Sequence, residues 1–468
     1  MTVSDRRRVG RPDLVDRTCL EIAMSDPQVA ASALGKVNRR FIPLLFTCFV
    51  AAWLDRVNVG FAALTMNNDL GLSFASFGIG AGVFFLSYFF LELPSNLLLE
   101  RFGARRWIAR ILITWGILSG AMALVQGERS FYALRFLLGV AEAGFFPGIV
   151  YFLSTWVPAA ARGRITASFL LAMPVASVIG GPLSGALMQL DGTAGLHGWQ
   201  WMFLVEALPA IALGPIVLSV LRDSPAQAEW LTEAERTWLV RTLADDATKV
   251  PAGHGGALKL LSSPLVLMLG AAYYGVVGLN YGLSFFLPQI VKGFGLSITE
   301  TGFVAAVPFA VASIGMIGWG RRSDRLGERR SHLLFPLALA VLGLAGSTLV
   351  GPPTLRLALL SVAAFGIYSA LPIFWTLPAG VLPPRSVAAG IAIVNSLGNL
   401  SGFIGSYAVG AIKDMTGSFA GGMQMIAGCG AVSVLLLYFV TRDIAWARTE
   451  PAGPGEGTKH LTEQPGTP

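Results

Sequence analysis

Long apolar stretches separated by short polar ones run along most of this chain. A helix that crosses a bilayer needs about 20 apolar residues. Runs of that length fall near 41–64, 77–99, 107–125, 131–155, 163–188 and 200–221. A polar stretch, 222–263, separates them from six more near 264–287, 298–319, 331–350, 355–379, 386–411 and 418–441. The pattern predicts an all-α membrane protein of twelve spanning helices. It divides into an N-terminal tail (1–40), a six-helix bundle (41–221), a linker (222–263), a second six-helix bundle (264–441) and a C-terminal tail (442–468). The first tail is polar and basic, so no cleavable signal peptide is expected and the first span stays as an anchor. The last tail is rich in Pro, Gly and Glu, a composition that favours disorder.

Composition agrees. The 468 residues are 54% hydrophobic and 13% charged, with a mean hydropathy of +0.64. A soluble protein carries roughly a quarter charged residues, and a soluble fold has too little interior to hide this much apolar surface. A soluble enzyme, a disordered chain and a nucleic-acid binder are therefore excluded. The lipid bilayer is the expected partner, and nucleic acid is not. Orientation follows from Lys and Arg in the loops. With both termini inside, the inner segments hold 28 of the 34 cations, and the outer loops hold only Arg129, Lys292, Arg356 and Lys413. Cytoplasmic termini and a multi-pass place in the cell membrane are expected. Cys19, Cys48 and Cys429 are too far apart for a metal or disulfide framework, and the four His are scattered. No phosphate-binding Gly-x-x-x-x-Gly-Lys-Ser/Thr occurs, which argues against ATP-driven transport.

The two halves carry related loops. Glu100-Arg101-Phe102-Gly103-Ala104-Arg105-Arg106 follows the second span, and Asp324-Arg325-Leu326-Gly327-Glu328-Arg329-Arg330 follows the eighth. Repeats of this kind mark transporters with a substrate site near the midplane between halves. The second loop, read from Gly320, resembles the cytoplasmic loop of the major facilitator superfamily. The first departs from it, with Asn96 for Gly and Glu100 for Asp. A tight Gly turn with locking charges would brace the halves as they rock. The linker wording Ala228-Glu229-Trp230-Leu231-Thr232-Glu233-Ala234-Glu235-Arg236 contains a Thr-x-x-Glu capping box, which predicts a surface helix. Together with Leu54-Asp55-Arg56-Val57-Asn58-Val59-Gly60, Glu92-Leu93-Pro94-Ser95-Asn96 and Gly198-Trp199-Gln200-Trp201 followed by Glu206, it resembles the anion:cation symporters of that superfamily. The resemblance runs from about 36 to 441. It implies two pseudo-symmetric six-helix bundles and proton-coupled uptake of an organic anion such as a sugar acid or tartrate. The proton is the coupling ion, no cofactor is needed, and the protein acts as a monomer and not as an enzyme.

Ionisable groups at membrane depth cost a few kcal/mol or more, so each is a functional candidate. They are Asp55, Arg56, Glu92, Arg135, Glu142 and Glu206. Asp55 and Arg56 point about 100° apart on a helix, so they cannot face the same partner. An acid beside a cavity suits proton binding, which points to Asp55. A forked cation fits a carboxylate, which points to Arg56. Arg135, Gly139 and Glu142 are spaced i, i+4, i+7 on one face. Glu142 can carry a proton in apolar surroundings, and a moving Arg135 could switch its release. Arg135 could equally be a helix-start anchor. In the symporters this chain resembles, an Asp of the first helix and a Glu of the fourth are proton sites and the Arg beside that Asp meets substrate, which implies Asp55, Glu142 and Arg56.

Glu92 and Glu206 read as structural, the latter as the start of the sixth helix. The C-terminal half offers neutral groups at depth: Tyr281, Tyr368, Trp375, Asn395, Asn399, Ser401 and Tyr407. Asn395 and Asn399 share a helix face that suits substrate hydroxyls. The resemblance adds Trp375 and Tyr88 as substrate contacts. It also implies a polar residue in the fifth helix, where this chain has apolar Ala172-Met173-Pro174-Val175. That departure leaves room for a smaller or aromatic carboxylate. A proton antiporter or exporter of the same fold is the alternative.

Overall fold

The computed structural model describes residues 27–249, 260, 262–382 and 387–442. The first 26 residues with Cys19, the linker stretch around His254, Arg385 and the tail after Arg442 lie outside the described residues, as do the readings made for them. No strand occurs among the described residues. The N-terminal half contains α1 (Pro27–Val57), α2 (Phe74–Phe102), α3 (Ala104–Ala121), α4 (Glu128–Glu142), α5 (Phe145–Ser154), α6 (Ala172–Leu187) and α7 (Gly198–Val220). The linker forms α8 (Glu233–Lys249). The C-terminal half contains α9 (Pro264–Lys292), α10 (Ile298–Leu326), α11 (Arg330–Ser347), α12 (Pro353–Phe374), α13 (Val387–Thr416) and α14 (Ala420–Val440).

Among the described residues, eleven spans are long and apolar enough to cross a membrane, with α4 and α5 forming one of them. The eleven do not include α13, the helix at the expected run 386–411. It is 30 residues long and packs against α2 and α9. The first helix begins fourteen residues before its apolar run. Ala33, Val37, Phe41 and Leu45 recur every four residues and are fully buried, so one face of a polar segment is apolar enough to hold it in the helix.

The halves meet along two seams, α2 against α13 and α6 against α10. Exchanging the two halves of the repeat turns one seam into the other. Both are built on small residues that let backbones touch. A Cβ on Gly302 of α10 would collide with the carbonyl of Gly181 of α6, and one on Gly82 of α2 would lie 2.8 Å from the Cα of Phe403. One end of each seam is also tied by polar groups. The backbone amides of Phe74 and Ala75, which open α2, donate to the Asp414 carboxylate at 3.1 and 2.7 Å. Free amides at a helix start favour an anion there. Lys413 sits over the rings of Phe74 and Phe419. In the other seam Gln189 donates to Thr299.

Both repeated loops turn at a glycine of positive φ, but their backbone conformations and their bracing differ. Gly103 and Gly327 have φ of +85° and +62°, a region open to Gly at little cost. After Gly327, Arg329 pairs with Asp324 at 2.6 Å and donates to Ser323. After Gly103 the acid is Asp223, beyond the end of α7. It accepts from the Arg105 amide at 2.9 Å, while the Arg105 side chain donates to the Leu218 carbonyl at 2.7 Å. Glu100, Arg101 and Arg325 are exposed. The locking charge expected from Glu100 thus comes from the linker end.

The capping box forms: the Thr232 amide donates to Glu235 at 2.8 Å and the Glu235 amide to Thr232 at 3.3 Å. Glu235 also accepts from Ser32 and Lys36 of α1 at 2.7 and 2.8 Å, and Trp230 stacks on Trp156. The linker helix is therefore docked on the N-terminal half. Burial opposes ionisation of Glu235, but the bonds from Lys36, Ser32 and Thr232 outweigh it and hold its carboxyl at about 2.

Two tests follow from this packing. Asp414→Ala removes the acceptor of two amides, so spin labels at exposed Asn68 and Met415 should gain a longer-distance population. An unchanged distance distribution would mean that Asp414 does not hold the seam. A carboxyl held below its ordinary 4.5 stabilises the fold above that value, and the effect is lost as pH falls towards 2. The difference in melting temperature between wild type and Glu235→Gln should therefore be constant above pH 5 and shrink below pH 4.

Candidate functional site

Asp55 and Arg56 diverge as helical geometry requires. Asp55 is buried and turned towards Ser119 and Trp115 of α3 and Glu206 of α7. Neither of its oxygens has a partner at hydrogen-bond geometry. Arg56 turns the other way. It forms an ion pair with Glu142 and donates to the Tyr281 hydroxyl of α9 at 3.1 Å. Its guanidinium lies 5.6, 5.1 and 5.5 Å from the rings of Trp53, Phe84 and Tyr88, an aromatic sleeve suited to a partly desolvated cation. The side chain of Arg56 is 13% exposed against 1% for Glu142, so the cation is the more exposed member of the pair. Its Nε–H has no partner.

A broken helix places Glu142. The fourth span, expected as one helix, stops at Glu142 and restarts at Phe145 through Gly144, whose φ is +85°. Ser95 donates to the freed carbonyl of Ala143 at 2.5 Å and accepts from Trp107 at 3.0 Å. The Glu92–Asn96 stretch thus serves partly to hold this break. Glu142 sits at the C-terminal end of α4, where the helix dipole is negative, so Arg56 supplies its balancing charge.

Arg135 is buried in mid-helix and donates to the carbonyls of Gly80 and Ala81 at 3.2 and 3.1 Å. It is not an interface anchor, and the ion pair of Glu142 is made with Arg56. Gly139 lets α2 approach α4 closely, since a Cβ there would collide with Ser87 and the Phe84 carbonyl of α2. Glu206 lies more than two turns inside α7 rather than at its start. It is buried, and accepts from Asn58 at 3.0 Å and Ser184 at 2.7 Å.

From the other half, Tyr281 is the residue that reaches Arg56, stacked between Trp53 and Phe285 and 4.4 Å from the ring of Phe85. Its type and depth marked it as a candidate, but nothing in its spacing ranked it above the other tyrosines. Trp375 closes α12 with its ring edge-on to Tyr273. Asn395 donates to Glu92 at 3.3 Å across the α2–α13 seam, and Asn399 lies half-buried one turn on. Two of the neutral polar groups are spent elsewhere: Tyr407 is 46% exposed, and Ser401 donates to the Gly398 carbonyl in its own helix. The apolar stretch of the fifth span is followed by Ser177, which accepts from Trp53 at 3.3 Å.

Known proteins resemble this chain in sequence and fold. A protein of Agrobacterium vitis named as a candidate tartrate transporter is 50% identical over 413 residues, 88% of this chain and 92% of its own. A quinolone resistance transporter of Acinetobacter baumannii is 42% identical over 416 residues, 88% and 96% of the two chains. The fold is similar to that of the E. coli xylose transporter in a partially occluded inward-open conformation, with a TM-score of 0.69 at 13% identity over 88% of this chain and 99% of that one. Residues 44–406 match the sequence profile of the Major Facilitator Superfamily, so the chain belongs to that superfamily of membrane transporters.

Proposed function

We propose that this transporter takes up an organic anion, a hydroxylated carboxylate of the tartrate or sugar-acid class, together with protons and by alternating access. In this reading α13 is the twelfth span, both chain ends lie in the cytoplasm, and the protein works as a monomer in the cell membrane. The observation that carries it is the Arg56–Glu142 ion pair, of which the cation is the more exposed member. A substrate carboxylate and the Glu142 carboxylate compete for one guanidinium. Removing one partner of a buried pair costs about 3–5 kcal/mol because a bare charge is left. A proton that settles on Glu142 avoids that cost: Glu142 becomes neutral as the substrate takes its place on Arg56. Anion and proton binding are linked by that exchange. Asp55, with two unbonded oxygens and no cation beside it, suits a second proton. Tyr88, Trp375, Asn395 and Asn399 surround the substrate, and Arg135 holds α4 against α2 during proton exchange.

A second reading is favoured by the quinolone-resistance relative. Quinolones carry a carboxylate on an aromatic ring system, which the sleeve around Arg56 also suits. Transport would then run outward in exchange for protons. The direction of tartrate flux in proteoliposomes with an imposed pH gradient separates the two.

Glu142→Gln removes the titrating group and keeps its shape. It should abolish accumulation of labelled tartrate driven by a pH gradient, yet preserve counterflow. Full pH-driven accumulation in this variant would remove Glu142 from the coupling. Arg56→Ala should weaken carboxylate binding by on the order of a hundredfold, the size of a hydrogen-bonded charge contact. A thermal-shift titration with tartrate that matches the wild type would refute the anion assignment.

A further inference from the structure

Glu92 is an acid on the wall of a site built for an anion. It follows Tyr88 by one turn of α2, and residues four apart share a helix face. The Tyr88 ring is 5.5 Å from the Arg56 guanidinium, so the ring and then the acid follow the cation along the face of α2 that meets Arg56. Glu92 is only half-buried. Among the described residues no Lys or Arg lies within ion-pair distance of it, and the loop arginines do not reach it. Its one hydrogen bond is the 3.3 Å contact from Asn395 of the opposite half. An ionised carboxylate accepts at about four positions, so most of its capacity is free. Asn395 brings a carbonyl oxygen and a second N–H to the same place.

A carboxylate with spare acceptor positions has no attraction for a second anion and a strong one for hydroxyl hydrogens. We propose that Glu92, with Asn395, is the subsite that recognises a substrate hydroxyl while the carboxylate of the same molecule lies on Arg56. The proposal rests on the anion reading above and adds the selection rule: hydroxy acids are taken in preference to plain acids of the same length. It also ties the cargo to the closure of the halves. A hydroxyl bonded to both Glu92 and Asn395 bridges α2 and α13, whereas a plain chain leaves that contact to the two side chains alone.

Tartrate and succinate have the same four-carbon dicarboxylate frame with and without hydroxyls. Their affinities for the purified full chain, measured by isothermal titration at one pH, give a ratio that Glu92 controls. Wild type should favour tartrate by on the order of tenfold to a hundredfold, the size of a hydrogen bond to a charged group. Glu92→Ala should bring the ratio to about one, since that bond is then lost. Glu92→Gln keeps an acceptor oxygen and should retain part of it. If Glu92→Ala does not fold, Asn395→Ala should lower the same ratio. Equal wild-type binding of the two acids overturns the subsite, as does a full ratio in Glu92→Ala. A Glu92→Gln variant that gains affinity for both acids by the same factor also overturns it, because the acid would then only repel. Wild type that binds neither acid overturns the anion reading as well, so the two failures are told apart.

Discussion

The structure turns on one buried ion pair. Arg56 and Glu142 lie at membrane depth, where an unpaired charge is costly, and neither has another partner of opposite charge in contact. Each part of the surrounding architecture fixes one of the two. The adjacency of Asp55 and Arg56 forces them onto different faces of α1, so the acid cannot neutralise its own neighbour. The break at Gly144 ends α4 at Glu142. Ser95 and Trp107 hold that break, and Arg135 pins α4 to the backbone of α2. The aromatic sleeve limits where the guanidinium can go. Of the two, Arg56 keeps the larger exposed surface.

Much of this was legible in the amino-acid pattern, for definite reasons. Spanning helices announce themselves by length and hydropathy, and charges inside them are rare enough to be listed one by one. Asp55, Arg56 and Glu142 were therefore found, and their separation onto two faces followed from helical periodicity. The capping box at Thr232 and Glu235 was equally readable, because it depends on residues three apart. What stayed hidden depends on tertiary contact. Tyr281 gains its role only because α9 meets α1 across the halves. Glu206 looked like a helix start because the two tryptophans before it suit an interface, yet the helix was already two turns old. Asp223 and Asp414 brace a loop and a helix start that are distant in sequence. Gly144 was visible as a glycine, but a helical break needs the Ser95 partner to be seen.

The repeat conserves shape more than chemistry within this one chain. Gly103 and Gly327 stand at the same place in the two loops and both have positive φ, while the acid that braces the turn comes from inside the loop in one copy and from the end of α7 in the other. The same holds in the membrane. The N-terminal half contains Asp55, Glu142, Glu206, Arg56 and Arg135, and the C-terminal half answers with Tyr281 and Asn395.

That division has a mechanical consequence. The ion pairs Arg56–Glu142, Lys36–Glu235 and Arg329–Asp324 each lie within one half or between a half and its docked linker. The polar contacts described between the halves never join two charged groups: Arg56 meets Tyr281, Glu92 meets Asn395, Asp414 meets the amides of Phe74 and Ala75, and Gln189 meets Thr299. Losing a hydrogen bond to a charged group costs about 1.5–3 kcal/mol, and water entering an opened seam replaces part of it. Splitting a buried ion pair costs about 3–5 kcal/mol because it strands a charge. Halves joined by the first kind of contact can part and rejoin without creating a bare ion at membrane depth. The expensive exchange, carboxylate for carboxylate on Arg56, is then confined to one half, where a proton can balance it.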